Sequence, residues 1–162
     1  MFTSPIHRIV RRRAGMSMIE MMVICFIIGV VAAIGFPTLV GARERANLES
    51  AKDQIRAALS TARAAAIRQG YPAQFHAQSG SVWVTAASGS ATGPQLQIGI
   101  PAGIERTLGV VVTPSTNAAL IQYDGRGFAT LASSAKIRLS AGALTDSICI
   151  TRLGSVMKGG CL

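Results

Sequence analysis

One long apolar run dominates the first forty residues. Residues 21–36 carry no charged side chain, and Glu20 is the only charge near them. The stretch 16–36 is close to the roughly 20 residues that a helix needs to cross the hydrocarbon core of a bilayer. The pattern therefore predicts a transmembrane helix over residues 16–36.

Beyond Pro37 the apolar positions recur at helical spacing, which predicts an amphipathic helix over residues 37–70. Glu49 with Lys52, and Asp53 with Arg56, are spaced to form ion pairs on its surface. We expect the apolar stripe to pack on the chain's own head, with a surface for a partner helix as the alternative. The stripe comprises Leu48, Ala51, Ile55, Ala58, Leu59, Ala62 and Ala66.

After Gly70 and Pro72 the pattern changes to short runs separated by turn residues, which predicts a β-rich head over residues 71–162. Turn signals occur at residues 78–81 and 124–127, and residues 88–94 read as a loop. Trp83, Tyr123 and Phe128 are expected in the core. The predicted strands are 73–77, 82–86, 96–100, 109–113, 119–123, 128–131, 136–139 and 148–152.

The formal net charge of +9 is concentrated at the amino terminus. Removing the four arginines that precede the apolar run lowers it to +5. Basic residues before an apolar span mark the cytoplasmic side, so the head is expected outside the cytoplasm. These arginines are Arg8, Arg11, Arg12 and Arg13.

Three interpretations of this amino terminus compete: a secretory signal, a simple signal anchor, and a precursor cut before its apolar run. Small residues at 33–35 could serve a secretory signal peptidase. However, an acidic residue inside a membrane helix costs on the order of 3 kcal/mol, and neither a signal nor an anchor requires one. Glu20 therefore favours the third interpretation.

The segment Gly15-Met16-Ser17-Met18-Ile19-Glu20-Met21-Met22-Val23 resembles the class III signal of type IV pilins and type II secretion pseudopilins. The resemblance implies a leader over residues 1–15, cleavage between Gly15 and Met16 by a prepilin peptidase, and N-methylation of Met16. Glu20 becomes the fifth residue of the mature chain and Pro37 the twenty-second, as in the family pattern. Met16 departs from the usual phenylalanine.

For Glu20 the resemblance implies a role in assembly, through pairing with the new α-amino group of a neighbouring subunit. The alternative is a carboxylate that snorkels to the headgroups or is protonated. Pro37, with Gly29, Gly35 and Gly41, interrupts an otherwise good helix. This stretch either bends or melts when subunits pack, or holds a static kink.

Residues 62–70, followed by strands and the turn Asp124-Gly125-Arg126-Gly127, are similar to the head of the FimT/GspH group of minor pilins and pseudopilins. The resemblance implies an α+β pilin fold, in which a long N-terminal helix packs on a small antiparallel sheet. It also implies a low-abundance subunit near the filament tip. Its partners would be other pilins, the prepilin peptidase and the inner membrane, with the head in the periplasm before assembly.

Some FimT-type pilins bind DNA through a Gly-Arg-x-Arg motif near the carboxyl terminus. The corresponding residues 154–158 lack both arginines. Arg138, Arg152 and Lys158, with Lys136, could still attract phosphates, but scattered charges that keep the head soluble are the favoured interpretation. DNA uptake thus remains an alternative function that is not favoured.

Cys149 and Cys161 lie near the carboxyl terminus, and an oxidising compartment would allow a disulfide between them; free thiols or an intermolecular bridge are the alternatives. The mature chain has a single histidine, His76, and no nucleophile motif, phosphate loop or metal-ligand cluster. We therefore expect no catalytic residue, no metal and no cofactor. The sequence predicts a structural subunit of a type IV pilus or a type II secretion pseudopilus, with a conventionally secreted domain as the third possibility.

Overall fold

The computed structural model describes residues 15–157, apart from the side chain of Pro37. The chain divides into two compact units, Met1–Val40 and Gly41–Leu162. The described elements, in chain order, are α1 (Met18–Gln69), β1 (Ala73–Gln78), β2 (Ser81–Ala87), β3 (Gln95–Gly103), α2 (Ile104–Leu108), β4 (Val111–Pro114), β5 (Leu120–Tyr123), β6 (Ala135–Ala141), β7 (Leu144–Ile150) and β8 (Val156–Met157). A long helix followed by antiparallel strands confirms the predicted α+β class.

In the second unit the strands form two antiparallel sheets. The first has the order β3-β2-β1-β5 and the second β4-β6-β7-β8. The turn between β1 and β2 places Ser79 and Gly80 at φ of 50° and 71°. Two consecutive positive φ values match the right-handed twist of a tight hairpin, so the predicted turn at 78–81 is confirmed.

The core of this unit lies where the predicted helical stripe of α1 meets the inner faces of both sheets. Of the stripe, Ala58 is partly buried and the other six residues are buried. Its four alanines let the helix backbone approach the strands closely, because a methyl group adds little thickness. The expected packing of the stripe on the head is confirmed.

The C-terminal end of α1 follows the predicted stop signal. Gly70 has φ of 69°, and its N–H donates to the carbonyl of Ala66. A left-handed residue after the last helical turn satisfies a carbonyl that would otherwise lack a partner, and glycine adopts it without a Cβ penalty. The chain then enters β1 through Pro72.

Two of the three aromatic residues expected in the core lie elsewhere. Tyr123 is buried as predicted, whereas Phe128 is exposed. Trp83 is only half-buried and stacks on His76 on the outer face of the first sheet, with ring centroids 5.0 Å apart. The valines and alanines of β2 occupy the inner face, so the alternation of the strand turns Trp83 outward.

Several predicted elements also differ. Residues 128–131 form a return segment with an isolated bridge between Tyr123 and Ala129, and not a strand. The one-turn helix α2 and the strand β8 were not predicted. Arg152 lies beyond the end of β7. Short segments of this kind carry no periodic signal that sequence reasoning can use.

Candidate assembly site

In the described part of the first unit, the apolar side chains of the helix are exposed. Met18, Ile19, Phe26 and Phe36 are each at least 71% exposed, and the exposed residues lie all round the helix. Such a helix needs lipid or partner helices around it. Within the described residues, α1 is the one helix long and apolar enough to cross a membrane.

Glu20 lies in the first turn of α1, on this apolar surface. Its carboxylate is exposed, and within residues 15–157 no cation approaches it closely enough to form an ion pair. The N–H groups of a first helical turn lack intrahelical partners, so a negative charge is well tolerated at this position in a helix. Glu20 is therefore free to accept a positive group from outside the chain.

The predicted cleavage junction lies just ahead of the helix. Gly15 and Met16 are exposed and have no regular secondary structure, and α1 begins two residues later at Met18. An exposed peptide bond outside regular secondary structure is accessible to a peptidase. The four leader arginines lie outside the described residues.

Pro37 falls within α1, and the helix continues through Gly29, Gly35 and Gly41 as well. Thr38 Oγ1 lies 3.4 Å from the carbonyl oxygen of Ile34. α1 is therefore continuous across these positions, as the predicted long N-terminal helix requires. Whether the segment bends or melts when subunits pack stays a prediction.

Of the residues considered for phosphate binding, the structure brings two together. Lys136 and Arg138 are exposed on the outward face of β6, where Arg138 stands opposite Thr113 and Ser147. Arg152 is exposed in the turn that follows β7, and Lys158 lies outside the described residues. Two neighbouring cations on a sheet face are a weak anion site, because solvent screens them.

Cys149 is buried in β7, opposite Lys136 and Met157. Its predicted partner Cys161 lies outside the described residues, so the bridge between them stays a prediction. The third cysteine, Cys25, is an exposed free thiol on the apolar helix.

Sequence reasoning missed an ion pair that ties the head helix to the second sheet. Lys52 Nζ lies 2.7 Å from Glu49 Oε2, as predicted, and also 2.7 Å from Asp146 Oδ2 on β7. The hydrogen bond from Lys52 lowers the pKa of Asp146, and the same contact raises the pKa of Lys52. Only the register of β7 brings Asp146 to the helix, so no spacing in the sequence signals this contact.

The turn at 124–127 was predicted, but its place against α1 was not. A Cβ on Gly125 would lie 2.5 Å from the carbonyl oxygen of Gly70, and one on Gly127 would lie 2.7 Å from Ile67 Cδ1. The two glycines therefore let the turn lie flat on the end of α1. The Gly-x-Gly spacing of residues 125–127 was the sequence signal from which a close contact of this turn could have been predicted.

No catalytic or metal-binding site is recognisable among the described residues. They contain no group of three or more His, Cys, Asp or Glu side chains that could hold a metal ion. One cavity of about 620 Å³ is an open groove between the β1–β2 turn and α2. The expectation of a non-enzymatic subunit stays a prediction.

Comparisons with known proteins bear on both units. A profile described as "Prokaryotic N-terminal methylation motif" matches residues 10–36, and the profile of the family "Type II transport protein GspH" matches residues 51–154. No curated protein sequence matches the chain significantly.

The solved structure of the type IV minor pilin FimU from Pseudomonas aeruginosa is similar to this chain, with a TM-score of 0.55 and 17% identity. The match covers 72% of this chain and 91% of FimU. A second crystal form of FimU matches with a TM-score of 0.48 and 15% identity, over 67% of this chain and 90% of the other.

The fold and the N-terminal motif together define a member of the type IV pilin and pseudopilin superfamily. Within it, the chain belongs to the GspH family, whose profile matches well over half of the residues.

Proposed function

We propose that this chain is a minor pilin or pseudopilin that assembles into the tip or priming complex of a type IV pilus or a type II secretion pseudopilus. The observation that carries the proposal is Glu20, the single acid of the exposed apolar helix, which lies within the matched methylation motif as the fifth residue after the Gly15-Met16 bond. A buried charge without a partner is costly, so the carboxylate requires a cation that only assembly supplies.

Cleavage of a neighbouring subunit by prepilin peptidase is the proposed source of that cation. Cleavage between Gly15 and Met16 creates an α-amino group, which is then methylated and stays positively charged. Two unit charges about 4 Å apart attract by roughly 4 kcal/mol at an effective dielectric constant near 20. This gain is comparable to the cost of placing Glu20 in the membrane, about 3 kcal/mol. Pairing between neighbouring subunits therefore compensates the acid.

The proposed topology follows the same division of the chain. Residues 1–15 are the cytoplasmic leader, 16–36 span the inner membrane, 37–70 continue as the amphipathic helix and 71–162 form the periplasmic head. After assembly the chain belongs to the pilus or pseudopilus. A disulfide between Cys149 and Cys161 would form in that compartment.

A place at the tip is proposed in preference to a place in the shaft. The support is the likeness of this chain to FimU, which is described as a minor pilin. The GspH family is described as a type II transport protein, which supports the pseudopilus equally. Neighbouring genes for pilus assembly or for secretion would decide between the two systems.

The test combines the mass of the amino terminus with incorporation into filaments. The full chain is co-expressed with a prepilin peptidase, and we expect a mature chain that begins at methylated Met16 and retains the apolar helix. Glu20→Ala should leave processing intact and abolish incorporation into sheared filaments or the pseudopilus. Asp53→Asn, which removes an exposed acid of the head helix, is the matched control and should incorporate normally. Normal incorporation of Glu20→Ala would refute the proposal.

DNA binding is retained as a second candidate because Lys136 and Arg138 share one exposed face of β6. Binding through phosphates would weaken steeply with salt. An electrophoretic shift that is present at low salt and lost in a Lys136→Ala, Arg138→Ala double variant would support it. Absence of any shift at low salt would exclude it.

A further inference from the structure

Three segments meet at the C-terminal end of α1. The turn at 124–127 rests on the helix through Gly125 and Gly127, as described above. A Cβ on Gly127 would also lie 3.2 Å from Arg63 Nε. The turn that follows β7 joins them, because Tyr123 donates a hydrogen bond to the carbonyl of Gly154 at 3.1 Å, and a Cβ on Gly154 would lie 2.8 Å from that of Ala129.

This end of the head exposes large apolar side chains from all three segments. Ile67 of α1 is 52% exposed, Phe128 is 47% exposed and Leu153 is 64% exposed. Grouped exposed apolar residues that are surrounded by polar ones mark interaction sites. Single exposed residues elsewhere on the head carry no such meaning.

Each of the three segments also carries an exposed arginine. Arg126 lies in the 124–127 turn with 84% of its side chain exposed, and Arg63 on α1 and Arg152 in the turn after β7 are exposed as well. We call these six residues the arginine end: Arg63, Ile67, Arg126, Phe128, Arg152 and Leu153.

The neighbouring acid does not neutralise this end. Asp124 Oδ1 accepts hydrogen bonds from the backbone N–H groups of Arg126 and Phe128 at 3.0 and 2.9 Å. These hydrogen bonds, above all the one from the N–H of Phe128, lower the pKa of Asp124. Asp124 Oδ2 lies 3.4 Å from Arg126 Nε, a loose contact. Asp124 therefore shapes the turn, and the guanidinium of Arg126 remains available to a partner.

We infer that the arginine end is the docking surface for a neighbouring pilin-like subunit that presents an apolar patch bordered by carboxylates. This inference rests on the proposed function. Arginine and aromatic residues are enriched in protein interfaces, and guanidinium groups bind carboxylates in a planar, bidentate geometry. A nucleic-acid backbone would match the three arginines but would leave Ile67 and Leu153 against phosphates, where their burial gains little. The mixed composition therefore favours a protein partner.

The experiment is site-specific photo-crosslinking of the full chain in the membrane. Benzoylphenylalanine replaces Leu153 at the arginine end or, as a control position, Ile100 of β3, which is 94% exposed. The chain is co-expressed with the other pilin-like subunits of the same genetic locus, each tagged in turn. We expect position 153 to crosslink to one of them and position 100 not to crosslink to that subunit.

Charge reversal then tests the arginine. Arg126→Glu should reduce the crosslink about tenfold or more, because it replaces an attraction with a like-charge repulsion. Arg106→Glu, which reverses an exposed arginine on α2, should leave it unchanged. A glutamate-to-arginine change at the crosslinked site of the partner should restore the crosslink to Arg126→Glu. Equal thermal unfolding of both variants shows that folding is intact.

The inference is overturned if position 153 crosslinks to no subunit, if positions 153 and 100 crosslink equally, or if Arg126→Glu has no effect. It is also overturned if Arg126→Glu abolishes the electrophoretic shift of a single-stranded oligonucleotide but leaves the crosslink unchanged. Glu20→Ala separates the two proposals. If that variant fails to incorporate while position 153 gives no crosslink, the proposed function stands and only the arginine end is wrong.

Discussion

Gly127 allows the sharpest test of the packing between the 124–127 turn and α1. Its φ of 82° lies in the left-handed region, and an added Cβ would approach Ile67 Cδ1 to 2.7 Å and Ile67 Cγ1 to 2.9 Å. Gly127→Ala should therefore destabilise the head in two ways, through backbone strain and through steric overlap with Ile67.

The two contributions can be estimated separately. A left-handed conformation costs a non-glycine residue about 1–2 kcal/mol. Overlap in a packed contact costs about 1–3 kcal/mol, and the half-exposed Ile67 can move, so the lower value applies. We expect about 2–3 kcal/mol in total. For a head of this size that corresponds to a fall in Tm of roughly 10 °C.

Gly89→Ala is the matched control, because Gly89 has a similar φ of 75° and nothing within 4 Å of its added Cβ. It should lose only the strain energy, about 1–2 kcal/mol. The assay is thermal unfolding of the full chain in detergent, followed by the fluorescence of Trp83, the single tryptophan.

A double-mutant cycle isolates the contact with Ile67. Ile67→Ala alone should cost less than about 1 kcal/mol, because the side chain is half exposed. Combined with Gly127→Ala, it should recover about 1 kcal/mol of the loss. Strictly additive free energies, or equal losses for Gly127→Ala and Gly89→Ala, would refute the contact on which the arginine end is built.

Three further predictions concern the head. Lys52→Met should lower the free energy of unfolding by about 0.5–1 kcal/mol near neutral pH. Because the hydrogen bond from Lys52 lowers the pKa of Asp146 in the folded head, the pair stabilises the head above pH 3.8, the ordinary pKa of this carboxyl, and loses that effect as pH falls through the lowered pKa. The difference in stability between Lys52→Met and the parent chain should therefore vanish in acid unfolding below pH 3.8. Burial lowers the pKa of His76, so the pH-dependent change in Trp83 fluorescence should have its midpoint below pH 6.5. This change should be absent in His76→Gln. A midpoint above pH 6.5 would show that the stacked indole stabilises the imidazolium instead. Tyr123→Phe should cost about 1 kcal/mol in thermal unfolding by removing the hydrogen bond to the turn after β7, and an unchanged Tm would contradict that contact.

The candidate assembly site is defined by local features of the sequence, and its role in assembly stays a prediction. The apolar run, Glu20 and the Gly15-Met16 junction follow one another within about twenty residues, and each is defined by its own position in the chain. Helical periodicity likewise predicted the buried stripe of α1, because the spacing of its apolar residues defines one face whatever lies opposite. The glycine that ends the helix and the tight β1–β2 turn were predicted for the same reason.

The arginine end and the Lys52–Asp146 pair were decided by tertiary structure alone. Alternation marks two faces of β2, but only the helix packed against the sheet determines that the valines turn inward and Trp83 outward. Arg63, Arg126 and Arg152 come from three separate segments of the chain, and strand register and close glycine contacts bring those segments to one end. A chain determines its local geometry through steric restrictions of a few residues, whereas contacts between distant segments depend on how all of them pack together.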